Sequence, residues 1–221
     1  MYAYRGFESH PLRQMMPQHI FQAVFIRNQA ESAMHPILRK LEGGDRRYIG
    51  RSEQVVADVL GNPGLFGVLV TGLSADDAIL RMRVADAMEK ISLKHPEYLW
   101  PHHEFLIEQA ARSGQKEVRW HLAQILPRLK LSAKEKLRVV DILLAYFADS
   151  SSIVKTFAMQ ALADIARQAP KLRPSILVHL QELTAIGTPA MKARGRKLLA
   201  EMKEPRLATT ITGHRSTGRT S

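Results

Sequence analysis

Cysteine is absent from the 221 residues. That excludes a disulfide framework, thiolate metal sites and a cysteine nucleophile, and it fits a reducing compartment. No apolar run approaches the ~18 residues that a transmembrane helix needs. No charged-then-apolar leader marks a secretory signal. Aromatic residues are scarce at 6%, so few side chains can serve as large apolar anchors. The sequence holds neither GxxxxGK[ST] nor GxGxxG, and no GxSxG nucleophile elbow. His103-Glu104 opens like a zinc-protease helix, but the fifth position is Ile107, so the second imidazole is missing. His102 and His103 are adjacent, hence ~100° apart on a helix, and chelate poorly together. What remains is 45% apolar and 24% charged, a globular composition with length enough for a sizeable core. The expectation is a bacterial, cytoplasmic protein with no catalytic residue, metal or cofactor.

The net charge of +11 is unevenly spread. Residues 51–95 come to −1 and 96–149 to +1, whereas 150–204 hold +5 and 205–221 hold +3. A basic end of this kind attracts phosphates or an acidic protein surface. The last segment, Pro205–Ser221, is rich in Thr, Ser and Arg and has almost nothing to bury, so it reads as a disordered basic tail.

The first fourteen residues, MYAYRGFESHPLRQ, have no helical or strand periodicity. They resemble the 3′ end of a transfer-RNA gene translated in the wrong frame. Phe7-Glu8-Ser9 is what TTC-GAA-TCC encodes, and Leu12-Arg13-Gln14 fits an encoded CCA end. The expected reading is a non-native leader, with the true start at Met15, Met16 or Met34. Residues 15–51 form a partly helical lead-in, with short apolar clusters at Ile20-Phe21, Val24-Phe25-Ile26 and Ile37-Leu38 and a turn at Gly43-Gly44-Asp45. Ser52 could N-cap a helix through Val55, Val56, Val59 and Leu60, ended by Gly61-Asn62-Pro63-Gly64.

A repeat governs the rest of the chain. Leu80–Ile91, Val118–Leu129, Val154–Ile165 and Met191–Met202 start 38, 36 and 37 residues apart. Positions 1, 8, 9 and 12 are apolar in all four, and position 5 is Val84, Leu122, Ala158 or Gly195. This spacing puts them on one helical face. Position 2 is basic throughout (Arg81, Arg119, Lys155, Lys192) and suits a ladder to backbone carbonyls or acids of a neighbouring repeat. Between them lie further helices. Pro96–Arg112 carries Leu99, Phe105, Leu106 and Ala110. Ser132–Asp149 carries Leu137, Val140, Leu144 and Phe147, with Ser132 and Glu135 forming a capping box. Lys171–Ile186 carries Ile176, Leu177, Leu180 and Leu183. Each repeat is therefore a helical hairpin, and a fixed period of hairpins is the mark of a solenoid.

The second-helix pattern resembles the HEAT repeat: an apolar residue, then Arg or Lys, a small residue in the middle, and a close such as Ala87-Met88-Glu89-Lys90-Ile91 or Ala161-Leu162-Ala163-Asp164-Ile165. The resemblance spans roughly residues 63–203, or four repeats, with 52–60 as the remnant of a fifth, in a repeat domain of residues 52–204. It implies an all-α solenoid, armadillo-like, whose second helices line a concave face. It also implies a scaffold for a protein partner. Met191–Met202 departs most, with Gly195 where a packing residue is usual, as suits a C-terminal cap.

On such a helix, positions 3, 7 and 10 point away from the apolar face. They are Met82, Trp120, Thr156 and Ala193; Asp86, Gln124, Gln160 and Lys197; and Glu89, Pro127, Ala163 and Ala200. Position 4 flanks them with Arg83, His121, Phe157 and Arg194. Trp120, His121, Gln124, Phe157, Gln160 and Lys197 are the candidate partner-binding residues, with Trp120 either an exposed anchor or packed between repeats. The alternative is a nucleic-acid binder whose phosphate contacts come from Lys155, Arg167, Lys171, Arg173, Lys192, Arg194, Arg196 and Lys197. A third reading is a repair enzyme similar to the alkylpurine DNA glycosylases, short basic solenoids of comparable length. Their catalytic tryptophans and carboxylate have no residue-by-residue counterparts here.

Overall fold

A computed structural model describes residues 34–43 and 51–203, and every regular element among them is helical, with no strand. The readings for residues 1–14, for Ile20–Ile26 and for the tail fall outside the described residues. No described helix is long and apolar enough to cross a membrane. The chain divides into two units, the first ending at Lys130 and the second beginning at Leu131.

The first unit contains α1 (Pro36–Arg39), α2 (Ser52–Gly61), α3 (Leu65–Thr71), α4 (Ala78–Lys94), α5 (His103–Arg112) and α6 (Lys116–Ile125). Asp77 starts α4 by accepting the amide N–H of Ile79, which satisfies a donor the helix itself leaves open. The stripe Leu80, Val84, Ala87, Met88 and Ile91 is fully buried, as the i, i+4, i+7, i+8, i+11 spacing requires. α4 packs between α2 and α6, with α3 against α4 and α5 against α6. Within residues 34–43, the carbonyls of Leu41 and Gly43 accept from the guanidinium of Arg83, buried on α4. Gly43 has φ +70°, the left-handed turn conformation that glycine adopts without strain.

The second unit contains α7 (Ala133–Ala145), α8 (Ser152–Gln168), α9 (Arg173–Ile186) and α10 (Pro189–Lys203). Ser132 and Glu135 form the reciprocal capping box at the start of α7. Ser151 caps α8, and Pro174 sits in the first turn of α9, where its missing N–H costs nothing. α8 packs against α7, α9 and α10, and α9 against α10. Val154, Ala158, Ala161, Leu162 and Ile165 of α8 are buried.

Polar contacts recur at the spacing of the sequence repeat. In the first unit Ser52 bonds Asp86, Glu53 pairs with Lys90, Arg81 bonds Gln115 and Ser92 accepts from Arg128. In the second, Ser152 meets Thr188, Gln160 meets Arg194 and Arg167 meets Glu201. All these partners stand 34 to 37 residues apart. The position-2 carbonyl contacts stay within a repeat, five or six residues back, while Arg81 also reaches the next repeat through Gln115. Arg81 donates to the carbonyls of Ala75 and Asp76, and Arg119 to that of Ser113. Lys155 and Lys192 make no such bond among the described residues.

Several local expectations are corrected. Ser52 is not a cap but the first residue of α2, fully buried, with its hydroxyl on Asp86 at 2.6 Å. Pro96–Arg112 is not one α-helix: a 3-10 stretch, Pro96–His102, precedes α5 because Pro101 cannot donate to an α-helical ladder. Pro127 likewise turns the end of α6 into the 3-10 segment Leu126–Arg128. Along α7 and the 3-10 turn Tyr146–Ala148 that follows it, the buried residues are Val139, Ile142, Leu143 and Tyr146, whereas Leu137 is 51% exposed and Val140, Leu144 and Phe147 are half-buried. Arg83, Pro127 and Ala163 were assigned to the open face and are buried.

Candidate functional site

The open face of the first unit is built by α2, α4 and α6. From α4 come Asp86, Glu89 and Lys90, on successive positions opposite the apolar stripe. Their charges are consumed internally. The Lys90 ammonium contacts Glu53 at 2.6 Å and Asp86 at 2.9 Å. Asp86 also accepts from Ser52, and Glu89 accepts from Arg128 at 2.7 Å. Burial pulls the Lys90 pKa down, but the bonds and charges of Glu53 and Asp86 outweigh it and hold the ammonium above its ordinary value. Removing either carboxylate would leave a partly desolvated cation.

α6 brings Trp120, His121 and Gln124 to the same face. Trp120 is half-buried, neither a free anchor nor a core residue. Its ring lies 5.5 Å from that of His121 at 59°, and its carbonyl accepts from Gln124 Nε2 at 3.3 Å. His121 Nδ1 is buried and has no hydrogen-bond partner among the described residues. Burial lowers the His121 pKa, Asp86 and Glu89 oppose that shift, and Lys90 adds to it. The net shift is downward, so the folded protein holds the imidazole neutral where the unfolded chain has begun to take a proton. Stability from this group is present above about pH 6.5 and is lost as pH falls through that value toward the depressed one. Urea unfolding at pH 8 and pH 5 should show that loss, and His121→Gln should reduce it. An unchanged difference in the variant would remove His121 as its source.

The other three candidate partner-binding residues belong to the second unit. Phe157 is half-buried and Lys197 is exposed. Gln160 is engaged at both ends, donating to Asp164 at 3.1 Å and accepting from Arg194 at 2.9 Å. The candidate phosphate-binding set divides in the same way. Arg167 is held by Asp164 and Glu201, Arg194 by Gln160, and Arg173 donates to the Met202 carbonyl. Lys171, Arg196 and Lys197 are exposed, Lys155 and Lys192 are half-buried, and none of these five has an ion-pair partner among the described residues.

The two histidines after Pro101 make local contacts. His102 packs 6.0 Å from the Phe66 ring, and burial lowers its pKa. His103 Nδ1 lies 2.9 Å from the Trp100 carbonyl. Sequence reasoning gave no contact role to Glu53, Arg128, Asp164 and Glu201, which with Ser52 hold these faces together. The signal was available: complementary residues about one period apart, such as Glu53 with Lys90 or Arg167 with Glu201.

Compared with protein-family models, curated proteins and solved structures, the chain matches none.

Proposed function

We propose that the chain is a cytoplasmic, non-catalytic HEAT-like solenoid of four helical hairpins that binds a protein partner through its second-helix face. The observation that carries this reading is the placement of Trp120. It is a half-buried indole on a face whose nearby charges, on Asp86, Glu89 and Lys90, are already paired. An aromatic ring within a satisfied polar rim is the arrangement that concentrates binding energy, because the ring can be desolvated without stranding a charge. The recurrence of polar contacts at 34 to 37 residues supports the repeat assignment. So does the burial of the same five positions in α4 and α8.

The test combines binding with stability. Trp120→Ala should weaken capture of the partner from host extract by about 2 kcal/mol, roughly thirtyfold, while urea unfolding changes little. Nuclease treatment should leave the capture intact. If the substitution instead costs about 3–5 kcal/mol of stability, Trp120 is a packing residue and leaves the site. Loss of the Trp120-dependent capture on nuclease treatment would transfer that face to the nucleic-acid reading.

A further inference from the structure

The second unit is strongly basic, with twelve Lys and Arg against six Asp and Glu over residues 131–203. α10 concentrates that excess. Along its length it carries Lys192, Arg194, Arg196, Lys197 and Lys203 against the single acid Glu201. Two of these six side chains are occupied, Arg194 by Gln160 and Glu201 by Arg167. The helix buries Met191, Gly195, Leu198 and Met202. At 100° per residue, the arc opposite that stripe holds Ala193 and Ala200 at its centre. Lys192, Arg196 and Lys203 lie along one side of the alanines and Lys197 along the other. None of these four cations has an ion-pair partner among the described residues, and Arg196, Lys197 and Lys203 are exposed while Lys192 is half-buried.

We infer that this outer face of α10 binds the phosphodiester backbone of nucleic acid without sequence preference. From Lys192 to Lys203 the helix rises about 16 Å, the span of about five phosphates along one strand. The central alanines let the backbone approach closely, and four cations then face it. An acidic protein partner fits less well, because the arc offers no large apolar or aromatic group to bury at the centre of such an interface. A membrane surface fits less well again, since the apolar side of α10 is already committed to the core. This surface takes positions 3, 7 and 10 of the last repeat, Ala193, Lys197 and Ala200, and rests on α10 alone, with nothing taken from Trp120. It narrows the phosphate-binding set to the unpaired members on α10, Lys192, Arg196 and Lys197, and adds Lys203.

The experiment uses the full chain and a fluorescein-labelled 20-base-pair duplex of random sequence, with affinity read by anisotropy from 50 to 200 mM salt. Four phosphate contacts predict a log–log slope near about −3.6, equivalent to a loss of roughly 150-fold over that range. Changing Lys192, Arg196, Lys197 and Lys203 to Gln should flatten the slope to near zero, and Arg196→Gln alone should reduce it by about 0.9. The control changes Lys94, Lys116, Lys130 and Lys134 to Gln, removing the same net charge elsewhere, and should keep most of the slope. All these side chains lie at or near the surface, and melting curves confirm that each variant is folded. Absence of binding at 50 mM salt overturns the inference. So does equal flattening by the control, or equal affinity for a polyglutamate probe, which would make the arc a site for acidic protein.

Discussion

Leu162→Ala is expected to destabilise the second unit by about 2–5 kcal/mol, toward the upper end of that range. Leu162 is fully buried on α8, the helix that α7, α9 and α10 all pack against. A cavity enclosed from three sides cannot collapse by shifting one neighbour, so both the transfer and the cavity costs are felt. The loss should also be local. In a stack of near-neighbour contacts, amides of α8 and α10 should lose exchange protection while those of α4 keep theirs. Urea unfolding combined with hydrogen exchange reads both effects. An unchanged melting curve would take Leu162 out of the core and shift the repeat register.

The second large effect is expected at Gly195, from adding atoms. A Cβ there would overlap Thr184 Oγ1 and stand 2.8 Å from Thr184 Cβ and 2.9 Å from Met159 Cε. The Thr184 hydroxyl is itself bonded to the Leu180 carbonyl, and its Cβ is fixed to the backbone of α9. Gly195→Ala gains about 1 kcal/mol of helix propensity, yet the overlap should outweigh that gain and leave a net loss. Gly195→Val brings more volume and less propensity, and should cost about 3 kcal/mol. Adding Thr184→Ala should restore part of it, as measured by urea unfolding. Gly195 is therefore still a packing position. Its missing side chain admits α8 and α9 to the surface of α10.

These two residues mark what the sequence made legible. Leu162 sits at a position that is apolar in all four repeats, and periodicity alone places it in the core. Gly195 breaks the pattern, and only the course of α9 across α10 explains why. The same limit appears on α7. Leu137, Val140, Leu144 and Phe147 follow i, i+3, i+7, i+10, whereas the buried Val139, Ile142, Leu143 and Tyr146 follow i, i+3, i+4, i+7, an equally helical pattern on another face. A helix apolar around most of its circumference leaves its inner face to tertiary packing. Pro101 and Pro127 were visible, but what they would do was not: each replaces part of an expected α-helix by 3-10 turns without ending the element. On the candidate site, Trp120, His121 and Gln124 were placed correctly on α6. The pairing that removes Arg167 and Arg194 from the free charges was not, because it depends on which acids or amides a neighbouring helix presents.

The contacts one period apart also constrain how such a chain can change length. Asp86 and Lys90 of α4 correspond, at the same places in the next repeat, to Gln124 and Arg128. An excision that brought α6 against α2 would therefore still offer Ser52 a hydrogen-bond partner and Glu53 a cation. An excision bringing α8 there would set Asp164 against Glu53 and turn an attraction into a repulsion. On these pairings, loss of a repeat inside the first unit would keep an attraction at Glu53, and a junction with the second would replace it by a repulsion.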